Sequence, residues 1–410
     1  MSPLSFPEQR PALLAAQETI SAETQTCGSL AMKADALASP TASEFQNTPV
    51  TVLRNPPILA EVQRNHAPGL QVVAIGGGTG LSTLLRGLKN YVRLSGEAAP
   101  RTPFIASLSA AVAVSDDGGS SGKLRKDFNM LSPGDLRNCL VALSENEALL
   151  SQLFQYRFPA DSALDGHSLG NLLLAALYKI TGDFGKAIEC SSRLLRIRGT
   201  LYPATRADVQ LEALMEDGSR LHGETTIHRS NKRIVEVMLA PSHVTPSPEL
   251  LQTIANADLI TVGPGSLFTS LVPNVLVCGV AEAIAASRAT KVYVCNLMTE
   301  ANESLGLTAA GHIRVLYKHA GAPIFSFALV NSRPASAALL ARYASEGAGQ
   351  IEADLDEISS LGVTPVTGDF LEEDARVARH SPERIASELL RLANAERAIY
   401  TGLAVQVAQG

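Results

Sequence analysis

Residues 72–76 read Val-Val-Ala-Ile-Gly, a short apolar run closing on glycine, and Leu81, Leu84, Leu85 and Leu88 follow it at helical spacing. A buried strand that opens through Gly76-Gly77-Gly78-Thr79-Gly80 into an amphipathic helix is the repeating unit of a parallel sheet, because parallel neighbours need a crossover to bring the chain back. The unit recurs. Residues 109–115, 259–262, 291–295, 324–330 and 363–366 read as further strands, and a closing helix is expected at 382–394. The alternation predicts an α/β fold of Rossmann-like form, a three-layer, mostly parallel sheet with helices on both faces.

Two stretches break the alternation. Residues 133–195 carry four successive apolar stripes at helical spacing and no strand, which predicts a helical insertion or cap. Residues 199–240 change period: 211–215 and 220–225 flank Glu216-Asp217-Gly218-Ser219, a hairpin signature, and 234–239 follows as a third strand. These are expected to form a small antiparallel annex. Residues 1–68 lack periodicity and are rich in Ala, Ser, Thr, Pro, Glu and Gln, so a disordered tail is expected there. The nucleotide-binding domain would then span 69–397, with a short C-terminal tail at 398–410.

Composition excludes several function classes. A formal charge of −6, with no block of five like charges, lacks the footprint of a nucleic-acid binder. Tryptophan is absent, which argues against an aromatic base-stacking platform. No apolar run approaches the ~18 residues a membrane span needs, so no membrane insertion is expected. The five cysteines are scattered and form no C-x-x-C, so they suggest neither a zinc cluster nor a disulfide framework.

Three glycine-rich loops carry the candidate chemistry. In the first, Gly77, Gly78, Thr79 and Gly80 would let the backbone approach a phosphate at a helix N-terminus. Leu81 stands where a full G-x-G-x-x-G would have its last glycine, and a plain strand-to-helix turn is the alternative. The second runs from Ser115 through Lys123. Its Asp116 and Asp117 stand at a strand's carboxyl end, placed to accept ribose hydroxyls or to hold Mg²⁺, and Ser120 and Ser121 would extend an anion-binding nest. A simple turn explains Asp-Asp-Gly-Gly better when the loop is read alone. The third loop, Gly263-Pro264-Gly265-Ser266, again joins a strand to a helix, with Thr269 just beyond. Loops of this kind at the carboxyl ends of one sheet converge on one crevice.

Gly166-His167-Ser168-Leu169-Gly170 matches the G-x-S-x-G pattern of serine hydrolases. A nucleophile elbow needs a hydrophobic strand before it, and residues 159–165 supply none. Ser168 is better read as the N-cap of the following helix, with His167 and Asn171 facing the crevice.

With these residues in place, the chain resembles the YvcK-type gluconeogenesis factors within the CofD-like superfamily. The resemblance runs in order from about residue 71 to 395. It includes residues 74–82, 116–122, 133–140, 166–172, 180–184, 263–270, 292–299 and 330–334. It implies a CofD-like fold, a cytoplasmic location and binding of a UDP-sugar such as UDP-N-acetylglucosamine. It also implies a role in cell shape and envelope synthesis during gluconeogenic growth, and a homodimer. Asn138, Asn171 and Asn296 become candidates for uracil or sugar contacts.

The other branch of the superfamily transfers a phospholactyl group from a nucleotide diphosphate donor to a deazaflavin with Mg²⁺. That branch has Pro-Asp-Leu-Asp-Thr where this chain has Pro133-Gly134-Asp135-Leu136-Arg137-Asn138, and Gly-Pro-Ser-Asn-Pro where this chain has Gly263-Pro264-Gly265-Ser266-Leu267. The chain also departs from its own branch. Phe268 replaces a usual Tyr, Glu300 through Ser304 replaces a usual run of Gln, Pro-Gly and Glu-Thr, and Gly311 replaces a usual Asp.

Overall fold

The structure, a computed structural model, describes residues 69–93, 104–145, 149–230, 232–301, 303–373 and 377–408. The tail expected at 1–68 lies outside the described residues. Strand β1 (Leu70–Gly76) opens through the first glycine loop into α1 (Gly78–Leu88), and β2 (Ile105–Val112) leads through the second loop into α2 (Gly119–Phe128). Helices α3 (Gly134–Leu143), α4 (Leu149–Gln155), α5 (Leu169–Thr181) and α6 (Phe184–Leu195) follow before β3 (Thr200–Pro203). The annex holds β4 (Gln210–Met215), β5 (Arg220–His222), α7 (Glu224–His228) and β6 (Ile234–Ala240).

Helix α8 (Pro248–Ala255) returns the chain to β7 (Leu259–Val262), whose loop feeds a wide turn at Leu267–Leu271 and the helices α9 (Val272–Val275) and α10 (Val280–Ala286). After β8 (Thr290–Val294) come α11 (Ala309–Ala320), β9 (Phe327–Asn331), α12 (Ala337–Ser345), α13 (Leu355–Ser360) and β10 (Thr364–Gly368). A short hairpin, β11 (Leu371–Glu373) with β12 (Ala378–His380), precedes the long α14 (Pro382–Ala408).

The main sheet has seven strands in the order β10-β9-β8-β7-β1-β2-β3, and every neighbouring pair is parallel. Apart from Gln71, β1 is buried along its length, as a central strand covered on both faces must be. From β1 the chain moves outward to β2 and β3, then returns to the other side of β1 and builds β7 to β10. The crossovers leaving β1 and β7 therefore diverge, and this is where an open parallel sheet leaves a crevice. Leu81, Leu84, Leu85 and Leu88 of α1 are wholly buried, each worth roughly 1.5–3 kcal/mol of transfer free energy.

The structure shifts several sequence expectations. Strand β2 begins at Ile105 rather than 109, because its register against β1 starts there. Residues 200–203 were expected in the annex but form β3, parallel to β2 on the edge of the main sheet. The annex itself is the antiparallel sheet β5-β4-β6, with β5 ending at His222 and α7 taking Glu224 and Thr225 out of the expected strand. Helix α14 continues through most of the expected C-terminal tail. Among the described residues no single helix is long and apolar enough to cross a membrane.

Candidate functional site

The three glycine-rich loops lie at the carboxyl ends of β7, β1 and β2, adjacent strands in the sheet. Their glycines do different things. Gly78 begins α1 with φ at +62°, a backbone conformation that a side chain disfavours, and its nearest outside neighbour is Ser270 Oγ, 3.7 Å from where a Cβ would stand. At Gly80 a Cβ would lie 2.4 Å from the Pro264 carbonyl oxygen, so this glycine lets the first and third loops pack together. Thr79 is exposed on the same turn.

A carboxylate from this chain already meets the first loop. Asp135, at the start of α3, accepts the Gly78 N–H, and its Oδ2 lies 2.7 Å from where a Gly77 Cβ would be. Burial and then the Asp116 carboxylate push Asp135 up to about 6, against the opposing pull of the Gly78 N–H and Arg137.

In the second loop the paired aspartates part company. Asp116 accepts the Gly118 N–H at 2.8 Å and the Ser132 hydroxyl at 3.4 Å. Its Oδ2 also lies 3.0 Å from the place of a Gly134 Cβ, beside Ser121 and one residue from Asp135. Asp117 instead caps α7, accepting the Thr225 N–H at 2.8 Å and the Thr225 hydroxyl at 2.7 Å. Arg125 of α2 braces the same junction, donating to the Ser115 and Val209 carbonyls and pairing with Asp208. Glu224, next to the Asp117 cap, is held well above the usual carboxylate range by burial, then by Asp116 and Asp135 and, more weakly, by Glu303 and Asp117.

This division of labour decides the metal question. Asp117 is engaged by Thr225, and among the described residues no group of three or more His, Cys, Asp or Glu side chains is arranged to hold a metal ion. With Asp117 Oδ1 spent on Thr225 and no third ligand grouped with them, Asp116 and Asp117 do not fit a shared Mg²⁺ seat.

A polar chain links α2 to α5. Asn171 Nδ2 donates to Ser120 Oγ at 3.1 Å, and Ser120 Oγ lies 3.1 Å from His167 Nδ1. With Asn171 donating, Ser120 Oγ can still either donate to His167 Nδ1 or accept from it, according to the imidazole tautomer. Asn171 Oδ1 is buried without a hydrogen-bond partner. Ser168 is wholly buried, and its hydroxyl accepts the Asn171 N–H at 3.3 Å. It is a helix cap, with no strand before it. Beside this chain, Arg137 donates to Asn138 Oδ1 at 2.7 Å, while its Nε is buried without a partner.

In the third loop Asn296 clamps the backbone on both sides of Gly265, accepting its N–H at 3.0 Å and donating to its carbonyl at 2.8 Å. The Asn296 amide is thereby committed to the loop itself rather than to a base or sugar. Gly263, with φ at +86°, turns the chain against Val294. Ser266 donates to Glu300 at 2.8 Å, and the Phe268 and Thr269 N–H groups both donate to Glu303 Oε1, at 2.7 and 3.0 Å. Burial, followed by the adjoining Glu300 carboxyl, pushes Glu303 well above the usual carboxylate range against those two N–H donors. The Phe268 ring packs edge-on to His319, whose two nitrogens are occupied by Val315 and Val237, so no imidazole there waits for the hydroxyl of a tyrosine.

The crevice thus gathers Gly77, Gly78, Asp116, Ser120, Ser121, Asn138, His167 and Asn171. Gly80, Gly263, Gly265, Asn296 and Asp117 serve loop architecture, and Ser266 and Thr269 are tied to glutamates. Sequence reasoning missed Asp135, Arg137, Glu224, Glu300 and Glu303 as site residues. An acid one residue into α3 was the available hint for Asp135, since carboxylates favour helix N-termini.

A family model described as 2-phospho-L-lactate transferase CofD matches residues 72–371. The chain belongs to the CofD family. Within it, the sequence is 45% identical over 319 residues to the gluconeogenesis factor of Halalkalibacterium halodurans, covering 78% of this chain and 95% of that one. It is 42% identical over 322 residues to the gluconeogenesis factor of Bacillus subtilis, covering 78% and 98%. These matches place this CofD-family chain in the gluconeogenesis-factor branch. A crystal structure of a Bacillus halodurans protein, described as a member of the UPF0052 family, aligns with a TM-score of 0.73 at 45% identity, over 78% of this chain and 99% of that one.

Proposed function

We propose that the chain is a regulatory factor that holds a UDP-sugar, of the UDP-N-acetylglucosamine type, in the crevice at the carboxyl ends of β7, β1 and β2 without turning it over. In this reading it works in the cytoplasm, on cell shape and envelope synthesis during gluconeogenic growth. The observation that carries the proposal is the set of buried, unpartnered polar atoms at the crevice, Asn171 Oδ1 and Arg137 Nε. Such groups are expensive to bury unpaired, at roughly 1–3 kcal/mol each, and a polar ligand recovers that energy.

The hydrogen-bonding already present shapes how a diphosphate would enter. At the first loop it competes with Asp135 for the Gly78 N–H, and at the third it competes with Glu303 for the Phe268 and Thr269 N–H groups. Calorimetry and thermal shift with UDP-N-acetylglucosamine, UDP and GDP test the reading, with a phospholactyl-transfer assay alongside. Saturable UDP-sugar binding without turnover is expected. No UDP-sugar binding, together with transfer to a deazaflavin, would reverse it in favour of the transferase.

A further inference from the structure

Arg137 projects from α3 against the first turn of α5. Its Cδ lies 2.9 Å from where a Gly170 Cβ would stand, and Nε is bonded to that Cδ. The residue is 6% exposed, yet its side chain's one described acceptor is the neutral Asn138 Oδ1, and Nε has none. A buried guanidinium normally sits on a carboxylate, because an unpaired buried charge is among the least favourable things a fold can contain. Here no carboxylate pairs with it among the described residues.

Its other surroundings add to the imbalance. The first turn of α5 presents the positive end of the macrodipole; Tyr156 O takes its Leu169 N–H and Ser168 Oγ its Asn171 N–H, and the Gly170 N–H has no described acceptor. Arg157 joins that turn from the far side. Its backbone bridges to Ser168, the cap residue of α5, with Leu169 N–H donating to Tyr156 O at 2.9 Å and Phe158 N–H to His167 O at 3.0 Å. Arg157 is exposed and makes no described ion pair. Its charge opposes that of Arg137 more strongly than Asp135 or Asp116 favours it, after the larger effect of burial.

We infer that Arg137, Arg157 and the first turn of α5 form the seat for a phosphate group of the crevice ligand. Guanidinium groups donate to phosphate oxygens, bidentately where one presents its edge, and the positive end of a helix dipole favours the anion. This deepens the UDP-sugar reading and rests on a phosphorylated ligand entering the crevice. It moves the anchor of the phosphates from the glycine loops, where Asp135 and Glu303 already take N–H groups, to the helical insertion.

The test uses the full chain with two probes, inorganic pyrophosphate and UDP-N-acetylglucosamine, measured by calorimetry at two salt concentrations. Arg157→Gln and Arg137→Lys are each expected to weaken pyrophosphate binding at least tenfold and to flatten its salt dependence. Arg193→Gln, an exposed arginine on α6, should leave it unchanged. Unliganded Arg157→Gln should melt no lower than wild type, since it removes a repulsion, while its ligand-induced rise in melting temperature is lost. If Arg137→Lys fails to fold, Arg157→Gln decides alone. Arginine-dependent pyrophosphate binding without UDP-sugar binding keeps the seat and removes the UDP-sugar reading. UDP-sugar binding that neither substitution weakens keeps that reading and overturns the seat, as does a wild type that ignores pyrophosphate.

Discussion

Asp135 accepts the N–H of Gly78 at the first turn of α1, the position at which an anionic ligand would dock on the glycine loop. The unliganded crevice is thus capped by a carboxyl group of its own, raised to about 6 by burial and by Asp116. For a carboxyl raised in the folded state, the native protein binds more protons than the unfolded chain between the two pKa values. Stability from this group is therefore complete below about 3.8 and is lost as pH rises through about 6. Asp135→Asn keeps an acceptor for Gly78 and removes the titration, so the fall in melting temperature across that window should flatten in the variant. UDP-N-acetylglucosamine has a diphosphate diester that does not titrate there, and its affinity for wild type should rise as pH drops through 6. A pH-independent affinity in wild type would contradict this.

Glu303, beside Glu300, is a second titrating group, at the third loop. Glu303 is raised, so its contribution is greatest at acid pH and declines as pH climbs above the ordinary glutamate value. Glu300→Gln removes the adjoining like charge and can donate to Glu303. The variant should melt higher than wild type above neutral pH, by the equivalent of roughly 1 kcal/mol or more, and the gap should close toward pH 4. Calorimetric melts across pH settle it, and a gap independent of pH would refute the pairing.

Asp117 should matter to folding more than to binding. Asp117→Ala strips the N–H and hydroxyl of Thr225 of their acceptor and uncaps α7. A loss of about 2 kcal/mol is expected in denaturant unfolding, with UDP-sugar affinity changed by less than about threefold below the melting point. A variant of normal stability that no longer binds would return Asp117 to the ligand.

Ser168→Ala should lose about 1 kcal/mol as an N-cap replacement. Treatment of wild type with a fluorophosphonate probe should leave Ser168 unlabelled, since the hydroxyl is wholly buried and accepts the Asn171 N–H. A covalent adduct found by mass spectrometry would revive the hydrolase reading.

The strands of the sheet were legible because parallel strands covered on both faces must be apolar runs, and the loops because glycine clusters punctuate them. Strand β3 was not legible: its four residues alternate in burial like the annex that follows, and only pairing with β2 assigns them to the main sheet. The site divides in the same way. Gly78, Ser120 and Asn171 announce themselves through local motif, whereas Asp135, Glu224 and Glu303 reach the crevice from loops and helices far apart in the chain. Their importance comes from what they meet in space, and only Asp135, an acid in the first turn of α3, carries a local hint of it. Asp116 and Asp117 show the converse, since adjacency in sequence suggested a joint task, whereas Asp117 Oδ1 is spent on Thr225 and Asp116 on Gly118 and Ser132.

The contact between Gly80 and the Pro264 carbonyl leaves no room for even one methyl group between the loops that follow β1 and β7. That half of the crevice is a fixed jaw. Any closing of the site around a bound molecule has to come from the opposite side, where α7 and the helical insertion are joined to the second loop by hydrogen bonds at Asp117 and Ser120 rather than by backbone wedged against backbone. Ligands that differ in their sugar would then be distinguished by how far the hydrogen-bonded side, which carries the phosphate seat, travels toward the glycine loops.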